Sequence, residues 1–166
     1  DDDIGTLANL SFGQGKLTAT AVQMINVFNC VANGGEYVLP FCVNYATDLS
    51  GEKVYEYKPK APIKALSEET AKKLKQMLTT AVEKGTARSA KSDVFLSAGK
   101  TATAQTGIYT ADKERLCTWF GGFFPADNPK YCVVIVCEDG TTGGENCAPV
   151  FKAVAERIYE RKLKNQ

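Results

Sequence analysis

Histidine is absent from this chain of 166 residues, and its absence excludes several kinds of site. A Ser/His/Asp or Cys/His catalytic arrangement needs an imidazole base, so neither can form from these residues alone. A zinc site would have to use thiolates only, because the usual nitrogen ligand is missing. None of the six cysteines sits in a C-x-x-C pair, so the sequence predicts buried or loosely paired thiols, no metal and no cofactor.

An excess of one charge and long apolar runs are missing too. Lys and Arg total 20 against 19 acidic residues, so the net charge gives no electrostatic basis for binding nucleic acid. The longest apolar stretches, such as CVVIVC, are far shorter than the roughly 20 residues that a membrane-spanning helix needs. A hydrophobic content of 44% is enough to fill one core, and we expect a single domain.

The first half of the chain contains two predicted helices and a predicted hairpin. Helices are expected after Thr20 and from Ser67, where a hydroxyl can cap the first turn. The first should end at ANGG, where Asn33, Gly34 and Gly35 tolerate a left-handed turn, and the second at Gly85. Between them, residues 36–58 alternate around DLSG, which predicts a β-hairpin.

The second half predicts an antiparallel meander followed by a helix. Turn-rich GIYTADKE and ADNP separate three apolar segments, which are residues 94–106, 116–124 and 131–138. The segment APVFKAVAERIYERK predicts a final helix with Val150, Val154 and Ile158 on its inward stripe. Helices before and after a meander indicate an α+β fold, with an antiparallel β-sheet covered by helices.

Two stretches match S-x-x-K, the spacing at which a lysine can activate a serine nucleophile. They run from Ser50 to Lys53 and from Ser97 to Lys100. The pair must face one way, as positions i and i+3 do on a helix. The first match falls in a predicted turn and the second on a predicted strand, where i and i+3 point to opposite faces. Neither match predicts a nucleophile.

Lys100 stands in SAGKTATAQTG, a stretch without an acidic residue. On a strand, Lys100 and Ala102 face one side, and Thr101 and Thr103 face the other. If this is an edge strand, it can add a peptide by main-chain pairing, with hydroxyls and a cation available for a carboxylate. The alternative is a solvated lysine on an ordinary strand.

Several blocks resemble the transpeptidase domain of high-molecular-weight, class B-like penicillin-binding proteins. In chain order they are SFGQGKLTATAVQ, NGG, EKGTARSA, AGKTATAQTG, WFGGFFPADNPKY and APVF, and AGKTATAQTG is similar to the K-T-G-T-A-Q element of that family. The resemblance implies a partial β-lactamase-like fold and a parent enzyme that cross-links peptidoglycan through a serine acyl-enzyme. It also implies D-Ala-D-Ala stem peptides and β-lactams as ligands. The parent would be anchored on the extracytoplasmic side of a bacterial plasma membrane, within a cell-wall synthesis complex.

The same resemblance implies roles for four residues. Lys100 would be the catalytic residue here, tuning protonation and electrostatics. Thr101 and Thr103 would hold the substrate carboxylate, and the Thr103 N–H would donate to the oxyanion. Ala102 belongs to the substrate-binding strand but stands where the family has glycine. Its methyl group could narrow the groove or press on the packed face of the sheet.

The chain departs from the family by what it lacks. It contains neither a helical S-x-x-K nor an S-x-N, so residues 1–166 are expected to be the C-terminal portion of one transpeptidase domain, inactive alone. Two alternatives remain open. One is a non-catalytic, β-lactam-sensing or degenerate module, which Ala102 favours. The other is a D,D-carboxypeptidase or β-lactamase of the same superfamily.

Overall fold

A computed structural model describes residues 4–11, 13–14 and 17–164 of the chain. Three residues of the SFGQGK block, Phe12, Gly15 and Lys16, lie outside the described residues. The helices and strands are α1 (Ile4–Ser11), α2 (Ala21–Ala32), β1 (Glu36–Tyr37), β2 (Tyr45–Thr47), β3 (Lys53–Glu56), β4 (Ile63–Lys64), α3 (Glu68–Lys84), β5 (Ala98–Thr110), β6 (Lys113–Phe124), β7 (Tyr131–Glu138), α4 (Gly143–Asn146) and α5 (Ala148–Ile158). A short 3₁₀ helix (Arg88–Ala90) follows α3, and a π-helical turn (Tyr159–Leu163) follows α5.

The main sheet is the predicted antiparallel meander, in the order β5–β6–β7. Its first hairpin is longer than predicted, because GIYT continues β5 and KE belongs to β6. Only Ala111 and Asp112 form the turn, with φ of 49° and 64°, as the tightest antiparallel hairpins require of both central residues. Within the described residues, no strand pairs with the outer edge of β5 or of β7.

Side-chain caps fix the starts of α2 and α3, as predicted. Gln23 N donates to Thr20 Oγ1 (3.2 Å), and Thr20 N donates back to Gln23 Oε1 (2.8 Å). At α3, Thr70 N donates to Ser67 Oγ (3.1 Å), and Gly85 ends the helix. Each cap satisfies first-turn N–H groups that have no partner inside the helix.

The prediction of one hairpin over residues 36–58 is wrong. Only β2 and β3 form a hairpin around the DLSG turn, and β1 pairs instead with β4, placing Glu36 opposite Lys64. The cause lies in the turn after α2. Gly35 has a φ of 98°, and its carbonyl oxygen accepts from Ala65 N and Leu66 N (2.9 and 3.0 Å). These contacts bring the segment before α3 beside β1.

Helices cover both faces of the main sheet. On one face, Phe151 of α5 packs against Phe120 and Phe124, with ring centroids 4.5 and 5.8 Å apart. On the other face, Phe28 of α2 belongs to the same buried cluster as Phe123. Strand alternation sends neighbouring phenylalanines of β6 to opposite faces, so this one strand supplies both cores. The predicted α+β architecture, an antiparallel sheet covered by helices, is confirmed.

The helix face that α5 turns to the sheet differs from the predicted stripe. Phe151 and Ala155 are fully buried, whereas Val150 and Val154 are 47% and 38% exposed. Of the predicted stripe, only Ile158 packs against the core. The aromatic ring sets the orientation of the helix, because burying a phenylalanine removes more apolar area from water than burying a valine.

We expect Phe151→Ala to lower the free energy of unfolding of the chain by about 3–5 kcal/mol, because it removes the ring between α5 and β6. The matched control is its neighbour: Val150→Ala should change the free energy by about 0.5 kcal/mol. Urea unfolding followed by the fluorescence of Trp119, the single tryptophan, measures both. Equal losses in the two variants would mean that α5 does not dock through Phe151.

Candidate active site

The candidate site lies on the free edge of β5. In an antiparallel strand, the N–H and C=O of one residue point to the same side, and alternate residues point to the same edge. The Thr103 carbonyl oxygen accepts from Gln14 Nε2 (3.1 Å), a residue outside the β5–β6 pair, so Thr103 turns its backbone groups to the free edge. By the same alternation Thr101 does so as well. Among the described residues no strand pairs with these groups, so an added chain that displaces their side-chain partners can pair with this edge.

Lys100 lies at this edge with its side chain exposed. Its Nζ donates to the Thr101 carbonyl oxygen (2.7 Å), which uses one of its three N–H groups. No carboxylate of the described residues forms an ion pair with it. Lys100 is therefore a cation with two N–H donors unused by the described residues, beside an unpaired strand edge. This arrangement suits an anionic ligand.

The hydroxyls of Thr101 and Thr103 point to the opposite face, as the alternation predicts. Thr101 is buried, and its Oγ1 lies 3.0 Å from Thr86 Oγ1. Thr103 Oγ1 accepts from Gly143 N (3.4 Å). Since a hydroxyl has one donor and two acceptor sites, each of these groups keeps unused hydrogen-bonding capacity. The segment after α3 and the first residue of α4 thus contact these two side chains.

The first turn of α4 supports the strand from behind. A Cβ atom added to Gly143 would lie 2.3 Å from the Trp119 carbonyl oxygen and 2.7 Å from that of Ala102. Only a residue without a side chain allows this approach of backbone to backbone. The backbone of Gly143 therefore packs directly against the β5–β6 backbone at the centre of the candidate site.

Ala102 does not press on the packed face of the sheet. Its side chain is exposed on the same face as Lys100, and its cross-strand partner is Trp119. Of the two effects expected for its methyl group, contact with the packed face is therefore excluded. The methyl group adds bulk on the open side, next to the lysine.

Neither S-x-x-K serine is placed as a nucleophile, as predicted from the strand and turn geometry. Ser97 is 1% exposed, and its Oγ has no hydrogen-bond partner in the described structure. Ser50 Oγ donates to Asp48 Oδ1 (2.7 Å) in the hairpin turn. A serine nucleophile needs a base within hydrogen-bonding distance, and neither hydroxyl has its lysine there.

The part of the chain that the structure describes contains no group of three or more histidine, cysteine, aspartate or glutamate side chains arranged to hold a metal ion. All six cysteines are described and are free thiols. Burial raises the pKa of Cys132 to about 12, so this thiol stays protonated and unreactive at neutral pH. Among the described helices, none has both the length and the apolar character to cross a bilayer.

Comparison with known proteins identifies the family. The profile described as penicillin binding protein transpeptidase domain matches residues 6–156. The chain belongs to this family. The penicillin-binding protein resemblance of the motif blocks is thereby confirmed.

Individual relatives agree with this assignment. Penicillin-binding protein PbpB of Mycobacterium tuberculosis is 32% identical over 175 residues, covering 95% of this chain and 25% of the relative. Stage V sporulation protein D of Bacillus subtilis is 32% identical over 151 residues, covering 86% and 23%. The crystal structure of penicillin-binding protein 3 of M. tuberculosis with aztreonam superposes with a TM-score of 0.81 at 30% identity, covering 95% of this chain and 38% of that one. The fold is thus part of a penicillin-binding transpeptidase fold, and the chain spans about a quarter of the length of the curated relatives it matches.

Three contacts of the site were not predicted from the sequence. Gln14, Thr86 and Gly143 each bond to Thr101 or Thr103, across 89, 15 and 40 positions respectively. Gln14 lies in SFGQG and Thr86 in EKGTARSA, which are two of the blocks that carry the family resemblance. The sequence therefore marks these segments, but only the fold brings them to β5.

We expect Gly143→Ala to destabilise the chain by about 1–3 kcal/mol, because the added methyl group must displace strand backbone. The control is Gly144→Ala, whose Cβ would lie 3.0 Å from the Thr86 carbonyl oxygen and needs a smaller shift. Thermal unfolding by circular dichroism compares the two. A Gly143 variant as stable as the unmodified chain would show that α4 does not seat against β5.

Proposed function

We propose that this chain is part of a serine-type D,D-transpeptidase that cross-links peptidoglycan stem peptides, with Lys100, Thr101, Ala102 and Thr103 in its substrate groove. The observation that carries the proposal is the free edge of β5, where the Lys100 ammonium donates to the outward carbonyl oxygen of Thr101, and Thr103 turns its backbone groups to the same edge. Membership of the penicillin-binding family supports the reaction class. The names of several relatives, peptidoglycan D,D-transpeptidases, support it as well.

In the proposed reaction, a serine hydroxyl from a segment upstream of this chain attacks the carbonyl carbon of the penultimate D-Ala. The amide C–N bond breaks, the terminal D-Ala leaves as an amine carrying a proton, and an ester remains. The amine of a second stem peptide then attacks the ester, forms the new amide and returns a proton to the serine.

The residues of β5 would serve this reaction in three ways. The Thr103 N–H donates to the oxygen that becomes negative in the tetrahedral intermediate. The Lys100 ammonium stabilises the developing negative charge and the protonation state of the nucleophile's surroundings. The Thr101 hydroxyl, held by Thr86, offers its remaining capacity to the substrate carboxylate. Ala102 lines the same groove and limits its width.

The proposed setting is the outer side of a bacterial plasma membrane, where stem peptides are found. The parent protein would be anchored by a segment outside this chain and would act within a cell-wall synthesis complex. Solved relatives in complex with aztreonam and ampicillin support β-lactams as ligands of the same groove.

A second candidate, a module that binds β-lactams without turnover, is favoured by one observation. The Ala102 methyl group is exposed on the Lys100 face, where the family has glycine, and added bulk there can slow the second half-reaction. Release of D-Ala with transfer to an amine, repeated over many turnovers in the full-length protein, distinguishes an enzyme from a sensor that stops at the ester.

We expect Lys100→Ala in the full-length protein to reduce the second-order rate of acylation by a β-lactam by about 10² to 10³-fold, since it removes a charge aimed at the developing oxyanion. Lys113→Ala is the matched control, because Lys113 lies on the same β5–β6 hairpin but next to its turn, where it pairs with Thr110, far along the strands from Lys100. Its rate should be unchanged. Equal rates in all three proteins would exclude β5 from the site.

The 166-residue chain alone should form no stable adduct with penicillin, because none of its S-x-x-K serines has an activating lysine. Intact-protein mass spectrometry after incubation with the β-lactam tests this. The full-length protein, treated identically, is the positive control. A mass increase of one β-lactam on any serine of the short chain would contradict the proposal that the nucleophile lies elsewhere.

A further inference from the structure

The side-chain amide of Gln14 occupies an acceptor on the free edge of β5. Gln14 Nε2 donates to the Thr103 carbonyl oxygen (3.1 Å), and the amide is partly buried there. The neighbouring outward acceptor, the Thr101 carbonyl oxygen, is taken by Lys100 Nζ (2.7 Å). Side chains of the chain itself thus cover both acceptors to which an added peptide strand would bond.

A peptide in the proposed reaction would need the acceptor that Gln14 holds. In a hydrogen-bonded antiparallel pair, two opposite residues exchange both of their N–H···O bonds. If the carbonyl of the penultimate D-Ala accepts from the Thr103 N–H, the N–H of that same D-Ala therefore points at the Thr103 carbonyl oxygen. Gln14 and the substrate then compete for one position.

The segment that presents Gln14 is lightly held. Gln14 follows α1, and the backbone bonds Gln14 N to Asn9 O (2.9 Å) and Gly13 N to Leu10 O (3.1 Å) close the turn. Within this chain no residue of α1 is buried, so few packing contacts from the described residues oppose a movement of this turn. A single neutral hydrogen bond changes an equilibrium constant by only about 2- to 10-fold, and a substrate N–H can replace it.

We propose that Gln14 is a displaceable cap on β5, and that it lets the site accept ligands without a backbone N–H for the Thr103 carbonyl oxygen almost as readily as ligands that have one. This inference rests on the proposed function. In the empty site Gln14 satisfies the carbonyl and protects an exposed strand edge. A ligand with the N–H replaces the hydrogen bond of Gln14 by its own, so the number of hydrogen bonds to the Thr103 carbonyl oxygen stays the same. A ligand without the N–H leaves the Gln14 hydrogen bond in place.

The test uses the full-length protein and two probes, acetyl-D-Ala-D-Ala and its analogue with a methyl group on the nitrogen of the penultimate D-Ala. The measured quantity is the ratio of kcat/KM for release of the terminal D-Ala from the two probes. Gln14→Ala removes the competitor for the N–H probe only, so the ratio should rise by about 2- to 10-fold. Gln14→Glu, which cannot donate in its ionised form, should raise it as well.

The matched control is Gln76→Ala, because Gln76 is an exposed glutamine on α3, and its ratio should equal that of the unmodified protein. A ratio that stays the same or falls in Gln14→Ala contradicts the proposal that Gln14 is a displaceable cap, even if both rates drop through loss of stability.

If the unmodified protein releases no D-Ala, the proposed function fails, and a second measurement tests the displacement of Gln14 by itself. Nuclear magnetic resonance of the Gln14 side-chain amide should show a shift with saturating acetyl-D-Ala-D-Ala and none with the methylated probe. An unchanged resonance with both probes overturns the proposal.

Discussion

The arrangement of the molecule depends on the burial of β6 on both faces and its pairing on both edges. Its phenylalanines alternate between two hydrophobic clusters, so α5 and α2 are held to opposite faces by one strand. Its glycines matter as much. A Cβ atom on Gly121 would lie 2.0 Å from the ring of Phe28, so α2 can reach the sheet only over a residue without a side chain. Because Gly121 is also the register partner of Lys100, the same packing fixes where the lysine lies.

The candidate site is accordingly built from backbone more than from side chains. Its two outward acceptors belong to Thr101 and Thr103, and their positions are set by the β5–β6 register and by Gly143 behind the strand. Backbone groups held in a sheet need no rotamer ordering on binding, which is the advantage of preorganisation. A side-chain substitution can remove a charge or a hydroxyl here, but the hydrogen-bonding template remains as long as the strand does.

Much of this was predictable from local sequence rules. Hydroxyl caps at Thr20 and Ser67 act within a few residues, and both helices begin where they were predicted. The alternation of β5 was predicted as well, but the strand runs over Ala98–Thr110 and not over residues 94–106. The errors lie where distant packing decides. The valines of α5 have the spacing of a core stripe, yet the sheet takes the ring of Phe151 instead. The strand that pairs with β1 is set by a glycine turn, whose Gly34 lies 30 positions from Lys64. Gln14 contacts Thr103 across 89 positions. Local sequence patterns extend over a few residues and cannot predict contacts at such separations.

The unpaired outer edge of β7 has a practical consequence for handling the chain. Its sequence YCVVIVCE is rich in β-branched residues, contains no proline, and carries its one charge at the end. Within the described residues it lacks the lysines, bulges and prolines by which proteins blunt an open strand. In concentrated solution this edge is the site at which one molecule would join another, in the manner of a growing fibril. We therefore expect association through this edge to increase with the concentration of the isolated chain.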